Sequence, residues 1–184
     1  MREPQEHSEK LLNSMNLNLS AWQQSEDFMK GYAAGFFDGE GCVQLLTSEC
    51  QGERPSPTIS IANRHLIALQ YLHAYVFPLL GIDFLYPRNG QIRISRWESI
   101  EAFVEVFKDI CVVKRRQLQL MDEAVKLHKS LVRKRKGKRI YSEEALKKFK
   151  QIDDSIGEDR KLIVNSESLF PHHSLFPKNG KRKE

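Results

Sequence analysis

The sequence predicts an α+β fold in which a helix, a hairpin, a second helix, a second hairpin and a third helix follow in the order αββαββα, with additional C-terminal helices. Three observations predict it. Apolar residues recur at helical spacing in three separate segments. Between these segments lie two pairs of short stretches that favour strands. A turn joins each pair, at 51–57 and at Asn89-Gly90.

The first helix and hairpin are predicted over residues 26–63. Ser25 is a favoured N-cap, and the two acids after it suit a first helical turn, so a helix is expected over about 26–39. The segment 42–48 favours a strand. A turn containing glycine and proline separates it from a second strand over 58–63.

The second helix and hairpin are predicted over residues 64–95. Apolar residues at helical spacing predict a helix over about 64–79, which Pro78 is expected to kink near its end. Two short strands, 83–86 and 91–95, flank the Asn-Gly turn.

Three more helices complete the prediction. Ser95 and Glu98 have capping-box spacing, which predicts that a helix opens there. A long helix is expected over about 114–134, followed by a shorter one that Ser142 opens. Three apolar residues of this last helix are expected to face inward: Leu146, Phe149 and Ile152.

Length and composition predict one folded domain between two tails. The chain has 184 residues, of which 40% are hydrophobic, and this is enough for one sizeable core. We expect a flexible arm over 1–24, a domain over 25–165 and a disordered tail over 166–184.

The cysteines and the hydropathy pattern predict a soluble intracellular protein. Cys42, Cys50 and Cys111 lack zinc-binding spacing, and their odd number disfavours a disulfide framework. No stretch approaches about 18 apolar residues, and the N-terminus lacks the apolar core of a signal peptide. A bacterial cytoplasm and an organelle genome are equally compatible with these features.

The positive charge is concentrated in one segment. Residues 126–139 contain eight Lys or Arg and no acid, in a chain whose formal net charge is +5. Such a run is compatible with a solvated surface, and contact with a nucleic-acid backbone is the functional alternative.

One short segment combines small residues with two acids. Gly31, Ala34, Gly35 and Asp38 fall at helical spacings, so one side of the first helix offers little bulk and another backbone can approach it. Glu40 follows at the helix end, where the dipole disfavours an anion. A carboxylate in that position indicates a bound cation.

Residues 33–41, AAGFFDGEG, resemble the nine-residue signature of the LAGLIDADG homing endonucleases, with acids at its sixth and eighth positions. The segment departs from that signature in Ala33 for Leu and in Glu40 for Asp. Both changes conserve packing and hard-cation chemistry, although a longer acid alters metal geometry. No second copy of the motif follows in residues 42–184, as in single-motif members of the family.

The resemblance implies a fold, a partner and an activity. In this family a curved four-stranded antiparallel sheet forms a saddle in the DNA major groove. The motif helices of two subunits pack together, which implies a homodimer with Gly31, Ala34, Gly35 and Asp38 at its interface. The implied activity is site-specific cleavage of double-stranded DNA at a pseudo-palindromic target, leaving 3′ overhangs, by an intron-encoded enzyme of intron homing.

The resemblance also implies a metal site and catalytic residues. The cofactor is expected to be Mg²⁺, with Mn²⁺ as a substitute and Ca²⁺ supporting binding without cleavage. Glu40 is expected to bind the metal, with the Gly39 carbonyl as an auxiliary ligand. Asp38 is the alternative ligand, although a structural role as a cap or a pairing partner is expected for it. Asn63 and Lys114 align with residues that arrange water beside the scissile phosphate.

The residues themselves leave alternatives open at two of these positions. Asn63 is equally well placed to cap the following helix. Lys114 opens a basic triplet with Arg115 and Arg116, and any member of it could contact phosphate.

Extending the family's strand register predicts the base-reading side chains, although each of them could also be an ordinary exposed strand residue. Arg88 and Arg93 are the best candidates for bidentate contact with guanine. The full predicted set is Gln44, Leu46, Ser48, Thr58, Ser60, Tyr86, Arg88, Gln91 and Arg93. The residues expected to face the helices are Val43, Leu45, Ile59, Ile61, Ile92 and Ile94. The residues expected to touch flanking phosphates are Arg133, Lys134, Arg135, Lys136, Lys138 and Arg139.

Two other functional classes remain compatible with the sequence. One is a non-cleaving nucleic-acid binder on the same scaffold, either an RNA maturase that helps splicing or a DNA-binding regulator. The other is an unrelated α+β domain with an accidental motif.

Overall fold

The structure, a computed structural model, describes residues 25–47, 54–82, 85–131 and 141–169. Its strands are β1 (Gly41–Leu46), β2 (Ser56–Ala62), β3 (Leu85–Arg88) and β4 (Gln91–Ile94). Its helices are α1 (Glu26–Glu40), α2, α3 (Trp97–Phe107), α4 (Arg115–Ser130) and α5 (Glu143–Leu169). Helix α2 consists of an α-helical turn Leu66–Tyr71, a π-helical turn Leu72–Val76 and a last turn Phe77–Leu79. The predicted class, mixed helices with antiparallel strands, is confirmed.

The four strands form one antiparallel sheet in the order β1-β2-β4-β3. Strand β2 lies between β1 and β4, with Ser60 opposite Cys42 on one side and Arg93 on the other. Alternate residues bury one face completely or almost completely, as the sequence predicts. The residues on this buried face are Val43, Leu45, Ile59, Ile61, Ile92 and Ile94.

Aromatic rings connect the helices above this buried face. Phe37 of α1 meets Phe103 of α3 with ring centroids 4.9 Å apart, and Phe103 meets Phe107 at 4.5 Å. Phe77 of α2 contacts both rings of α3. All four rings are buried, so the position of α1 depends on this cluster.

Helix α1 begins as predicted and ends one residue later than predicted. The Ser25 hydroxyl accepts a hydrogen bond from the Phe28 N–H at 3.4 Å, so Ser25 is the N-cap. The helix continues through Glu40, and β1 begins at Gly41 with no linking residue. A Cβ at Gly41 would overlap the ring and the carbonyl oxygen of Phe37. Glycine is therefore required where the helix passes into the strand.

Several predicted boundaries differ from the structure. The capping box at Ser95 is wrong, because Arg96 is the N-cap of α3 and no side chain caps it. Helix α4 ends at Ser130 rather than at 134. Helix α5 has 27 residues, so it is longer than α4 and not shorter. Ser142 does open it, since its hydroxyl accepts from the Ala145 N–H at 3.2 Å.

Helix α2 also differs from its prediction. It begins at Leu66 rather than at 64, with His65 as its N-cap. The π-helical turn lies immediately before Phe77 and Pro78. Proline has no N–H to donate and its ring crowds the preceding turn, which explains why the regular α-helical pattern is interrupted there.

Helix α5 packs along β1, which is an edge strand of the sheet. The Arg160 guanidinium donates to the Val43 carbonyl at 2.5 Å, and the Thr47 hydroxyl donates to Asp153 at 3.0 Å. Burial raises the pKa of the Asp153 carboxyl. These contacts cover an edge that would otherwise be free to pair with another chain. Within the described ranges, no helix is long and apolar enough to cross a membrane.

We predict that Gly41→Ala destabilises the protein by about 1–3 kcal/mol, because the added methyl must displace the buried Phe37 ring. Urea unfolding at a fixed protein concentration measures this free energy. Gly157→Ala on α5 is the matched control, since nothing lies within 4 Å of its added Cβ. The control should be stabilised by about 0.4–1 kcal/mol. Equal effects of the two changes would contradict the packing argument.

Candidate active site and nucleic-acid interface

Glu40 lies at one end of the sheet, in a cleft of about 520 Å³. Its side chain is exposed, and Asn63, at the end of β2, lines the same cleft. The structure therefore brings together two of the three residues predicted to be catalytic. The remaining lining residues are Ala62, Arg64, Leu66, Asn89 and Gly90.

The predicted Asn-Gly turn forms one wall of this cleft. Asn89 and Gly90 have positive φ angles of 51° and 71°, as a type I′ hairpin turn requires. The Asn63 N–H donates to the Gly90 carbonyl at 2.9 Å, and a Cβ at Gly90 would lie 3.0 Å from the Asn63 carbonyl oxygen. A turn that the sequence analysis treated only as a hairpin signal therefore helps to shape the candidate site.

The Asn63 side chain also has a local role. Its Oδ1 accepts a hydrogen bond from the His65 N–H at 2.7 Å, which forms a turn just before α2. This contact resembles the capping alternative that the sequence left open, although the N-cap residue itself is His65. Asn63 therefore orders the chain that leads out of β2 while it faces the cleft.

Arg64 is a cleft residue that the sequence analysis missed. It is exposed, follows Asn63 directly and lines the cleft that contains Glu40. Its position next to Asn63 was the available signal. The cleft thus contains a carboxylate, a carboxamide and a guanidinium, a combination suited to a cation and a phosphate.

The two acids of the motif have different surroundings. The Asp38 carboxylate accepts two backbone N–H groups of its own chain, Val112 at 2.7 Å and Lys114 at 2.9 Å. Glu40 forms no ion pair with any described residue. Asp38 therefore holds the backbone of its own chain, whereas Glu40 has no ion-pair partner among the described residues.

Lys114 does not line the cleft that Glu40 and Asn63 share. It is the N-cap residue of α4, and its backbone is fixed by Asp38. Residues 108–114 form the loop between α3 and α4. Arg115 donates to the carbonyls of Asp109 and Cys111 in this loop, both at 3.1 Å. Arg116 is exposed and lines a separate groove between α4 and α5, together with Lys148.

Cys111 is a buried residue whose thiol is expected to react slowly. Its thiol lies 3.9 Å from the Ala34 carbonyl oxygen, and the residue is fully buried. Burial raises the pKa of the Cys111 thiol to about 12, and the nearby Asp38 carboxylate contributes to the rise. Cys42 is partly exposed on β1. The two described thiols therefore differ strongly in accessibility.

The small-residue face of α1 is divided in the structure. Ala34 is only 3% exposed and belongs to the core, so its predicted place on an open face is corrected. Gly31, Gly35 and Gly39 are exposed, and nothing lies within 4 Å of a Cβ built on any of them. Asp38 is partly buried against its own chain. The open stripe therefore consists of the three glycines.

The second face of the sheet carries the residues predicted to read bases. Gln91 and Arg93 are exposed, Leu46 is 42% exposed and Gln44 is half-buried. Thr58 and Ser60 of the central strand are only 8% and 5% exposed, although the register places them on this face. Ser60 lies between Cys42 and Arg93 in the register, and Thr58 lies opposite Gln44. Access to Thr58 and Ser60 is therefore limited.

Several predicted DNA contacts lie outside the described part of the chain. These are Ser48, the side chains of Tyr86 and Arg88, and Arg133, Lys134, Arg135, Lys136, Lys138 and Arg139. Within the described part of the basic segment, Lys126 pairs with Asp122 at 2.8 Å, and Lys129 pairs with Glu101.

The donor set of the cleft suits a hard cation only in part. No group of three or more His, Cys, Asp or Glu side chains that could hold a metal occurs among the described residues. The cleft offers the Glu40 carboxylate, and the carbonyl oxygens at the same helix end lack intrahelical partners, so all of these metal-binding atoms are oxygens. Mg²⁺ accepts such a set because it binds through one or two carboxylates, substrate phosphates and water.

Comparison with solved structures shows the fold. The archaeal intron-encoded homing endonuclease I-Vdi141I, complexed with DNA, is 16% identical over 79% of this chain and 99% of that one, with a TM-score of 0.55. The homing endonuclease I-TnaI is 19% identical over 80% of this chain and 99% of that one, also at 0.55. I-SmaMI, bound to an uncleaved DNA target with calcium ions, is 17% identical at 0.52, and this chain covers 53% of it.

The protein therefore has the fold of the LAGLIDADG homing endonucleases, as the motif over residues 33–41 predicts. No protein-family model matches the sequence. No curated protein matches it either.

Proposed function

We propose that the protein is a site-specific endonuclease that cleaves double-stranded DNA as a homodimer, using a divalent metal at Glu40. The observation that carries the proposal is the cleft in which Glu40 and Asn63 meet. The cleft opens at the end of a sheet whose second face exposes Gln91 and Arg93. A backbone-cleaving group beside a polar, cationic sheet face suits a DNA substrate.

The proposed DNA surface is the face of the sheet opposite the core. We also propose that this face is concave, that it lies in the major groove and that the basic residues of 133–139 extend it. Among the described residues, Arg93 is the best candidate for reading guanine, because it is exposed on a strand that is paired with β2. The basic residues would add affinity that depends on salt and not on sequence.

The residues of the cleft divide the proposed chemistry among them. A bound Mg²⁺ would activate water and neutralise charge that develops on the phosphate. Glu40 would hold that ion, with the Gly39 carbonyl as an auxiliary ligand. Asn63 would orient water, and Arg64 would hold the phosphate that faces the cleft. Lys114 would act through solvent from the start of α4.

The open face of α1 supports the homodimer. Phe28, Tyr32 and Phe36 recur at four-residue spacing beside Gly31, Gly35 and Gly39, and Tyr32 and Phe36 are partly buried against the core. Phe28 is 42% exposed, and the glycines leave open space. A ridge beside a groove of the same period is self-complementary, so a second copy of the helix can pack against it. The pairing would supply a second Glu40 for the second DNA strand.

We predict that Glu40→Gln abolishes cleavage while DNA binding is retained. The amide keeps the shape of the side chain and removes the charge that holds the metal. A randomised double-stranded library is incubated with Mg²⁺ or Ca²⁺, and both ends of every product are sequenced. Glu105→Gln, on an exposed position of α3, is the matched control and should cut like the wild type. Cleavage by Glu40→Gln at the wild-type rate would exclude Glu40 as the metal ligand.

We predict that target DNA protects Cys42 from alkylation. Cys42 lies on the proposed DNA face, in register with Ser60, and is partly exposed. Cys111 should remain unmodified in the folded protein at pH 8 because burial raises its pKa to about 12. Peptide mass spectrometry after iodoacetamide treatment of Cys50→Ser protein measures both sites. Equal alkylation of Cys42 with and without DNA would contradict the proposed surface, whereas protection without cleavage would favour a non-cleaving binder.

We predict that Gly35→Leu converts the dimer to a monomer by filling the groove on α1. The position leaves room for a side chain, since nothing outside the adjacent helix backbone lies within 4 Å of an added Cβ. Sedimentation velocity over a range of protein concentrations measures the association. Gly157→Leu on α5, where an added Cβ likewise has nothing within 4 Å, is the control and should leave association unchanged. A wild type that sediments as a monomer on and off DNA would contradict the homodimer.

A further inference from the structure

One carboxylate connects the helix that ends in Glu40 with the loop that leads to Lys114. Asp38 lies two residues before Glu40 on α1. Its Oδ2 accepts from the Val112 N–H at 2.7 Å, and its Oδ1 accepts from the Lys114 N–H at 2.9 Å. Both oxygens are therefore used, and hydrogen bonds to an ionised acceptor are roughly twice as strong as neutral ones.

Arg115 holds the same loop through its carbonyl groups. Its guanidinium donates to the carbonyls of Asp109 and Cys111, both at 3.1 Å. A carboxylate thus binds two N–H groups of the loop and a guanidinium binds two of its carbonyls. The backbone that precedes Lys114 is fixed by side chains from two different helices.

Apolar packing contributes little to the position of this loop. Val112 is 76% exposed, Val113 is 44% exposed and Ile110 is 39% exposed. Cys111 alone among these loop residues is buried, with its thiol toward α1. Polar contacts therefore decide where the end of the loop lies, and Asp38 provides those that reach Lys114.

We infer that Asp38 is a positioning residue that sets Lys114 relative to Glu40. The inference rests on the proposed function and deepens it. Because Asp38 and Glu40 share the last turn of α1, any displacement of that turn moves both together. Both carboxylate oxygens of Asp38 bind backbone N–H groups, one of them that of Lys114, so its effect on cleavage passes through Lys114.

A double-mutant cycle tests this assignment. Asp38→Asn keeps the shape of the side chain but leaves one acceptor oxygen for two N–H groups, and its amide group opposes the second. We expect it to lower the single-turnover rate of target cleavage in Mg²⁺ by at least about tenfold. Affinity for the target in Ca²⁺ should stay within about twofold of the wild type, since binding contacts are retained.

The decisive comparison is with Lys114→Met. If Asp38 acts only through Lys114, the double variant cleaves no more slowly than Lys114→Met alone, because coupled residues are not additive. If Asp38 serves only to stabilise the fold, Asp38→Asn cleaves at the wild-type single-turnover rate when the assay temperature is well below its melting temperature. If Asp38 and Lys114 act independently, the rate losses of the two single variants multiply in the double variant. Either result would overturn the inference.

Controls separate this inference from the proposed function. Asp154→Asn, an exposed carboxylate on α5, should cleave like the wild type. Asp38→Ser is the second variant if Asp38→Asn does not fold, and its rate should also fall while thermal unfolding shows a folded protein. A wild type without cleavage activity contradicts the proposed function and this inference with it. An active wild type with an equally active Asp38→Asn contradicts the inference alone.

Discussion

The passage of α1 into β1 at Gly41 is the constraint on which the rest of the structure depends. The helix continues through Glu40, the strand begins at the next residue, and the Phe37 ring occupies the place of a Cβ. Phe37 in turn packs against Phe103 in the aromatic cluster. The buried core therefore determines where the helix ends relative to the sheet, and with it where the Glu40 carboxylate lies. A flexible loop at this junction would not fix the position of the Glu40 carboxylate.

The two acids of the motif serve different purposes because of helical geometry. Residues two positions apart on a helix are rotated by roughly 200° about its axis, so they point to nearly opposite sides. Asp38 faces its own chain and binds the backbone of Val112 and Lys114, whereas Glu40 faces the cleft. The same helix therefore holds a distant loop through Asp38 and leaves the Glu40 carboxylate exposed in the cleft. The glycines at 31, 35 and 39 occupy the side of the helix that the core leaves open.

The two faces of the sheet differ in burial and polarity. Its apolar face is sealed by the helices, and α5 covers the outer edge of β1 through Arg160 and Asp153. This leaves the second face as a broad polar surface of the described domain, with Arg93 exposed and Ser60 shielded between its neighbours. In the proposed function, recognition of a sequence by this surface would depend mainly on its exposed side chains, because Thr58 and Ser60 on the central strand are nearly buried.

The sequence by itself determined the features that local geometry controls. Backbone preferences and side-chain periodicity made three features predictable: the Ser25 cap, the alternation that buries one sheet face and the Asn89-Gly90 turn. The motif at the end of α1 was identified by its resemblance to a family signature. Only the tertiary structure decided which small residues of α1 were buried, that Arg64 lines the cleft and that α5 reaches along β1. It also supplied the partners of Asp38, which lie 74 and 76 residues away along the chain. Contacts of that kind depend on how distant segments pack against one another, and no local pattern encodes them.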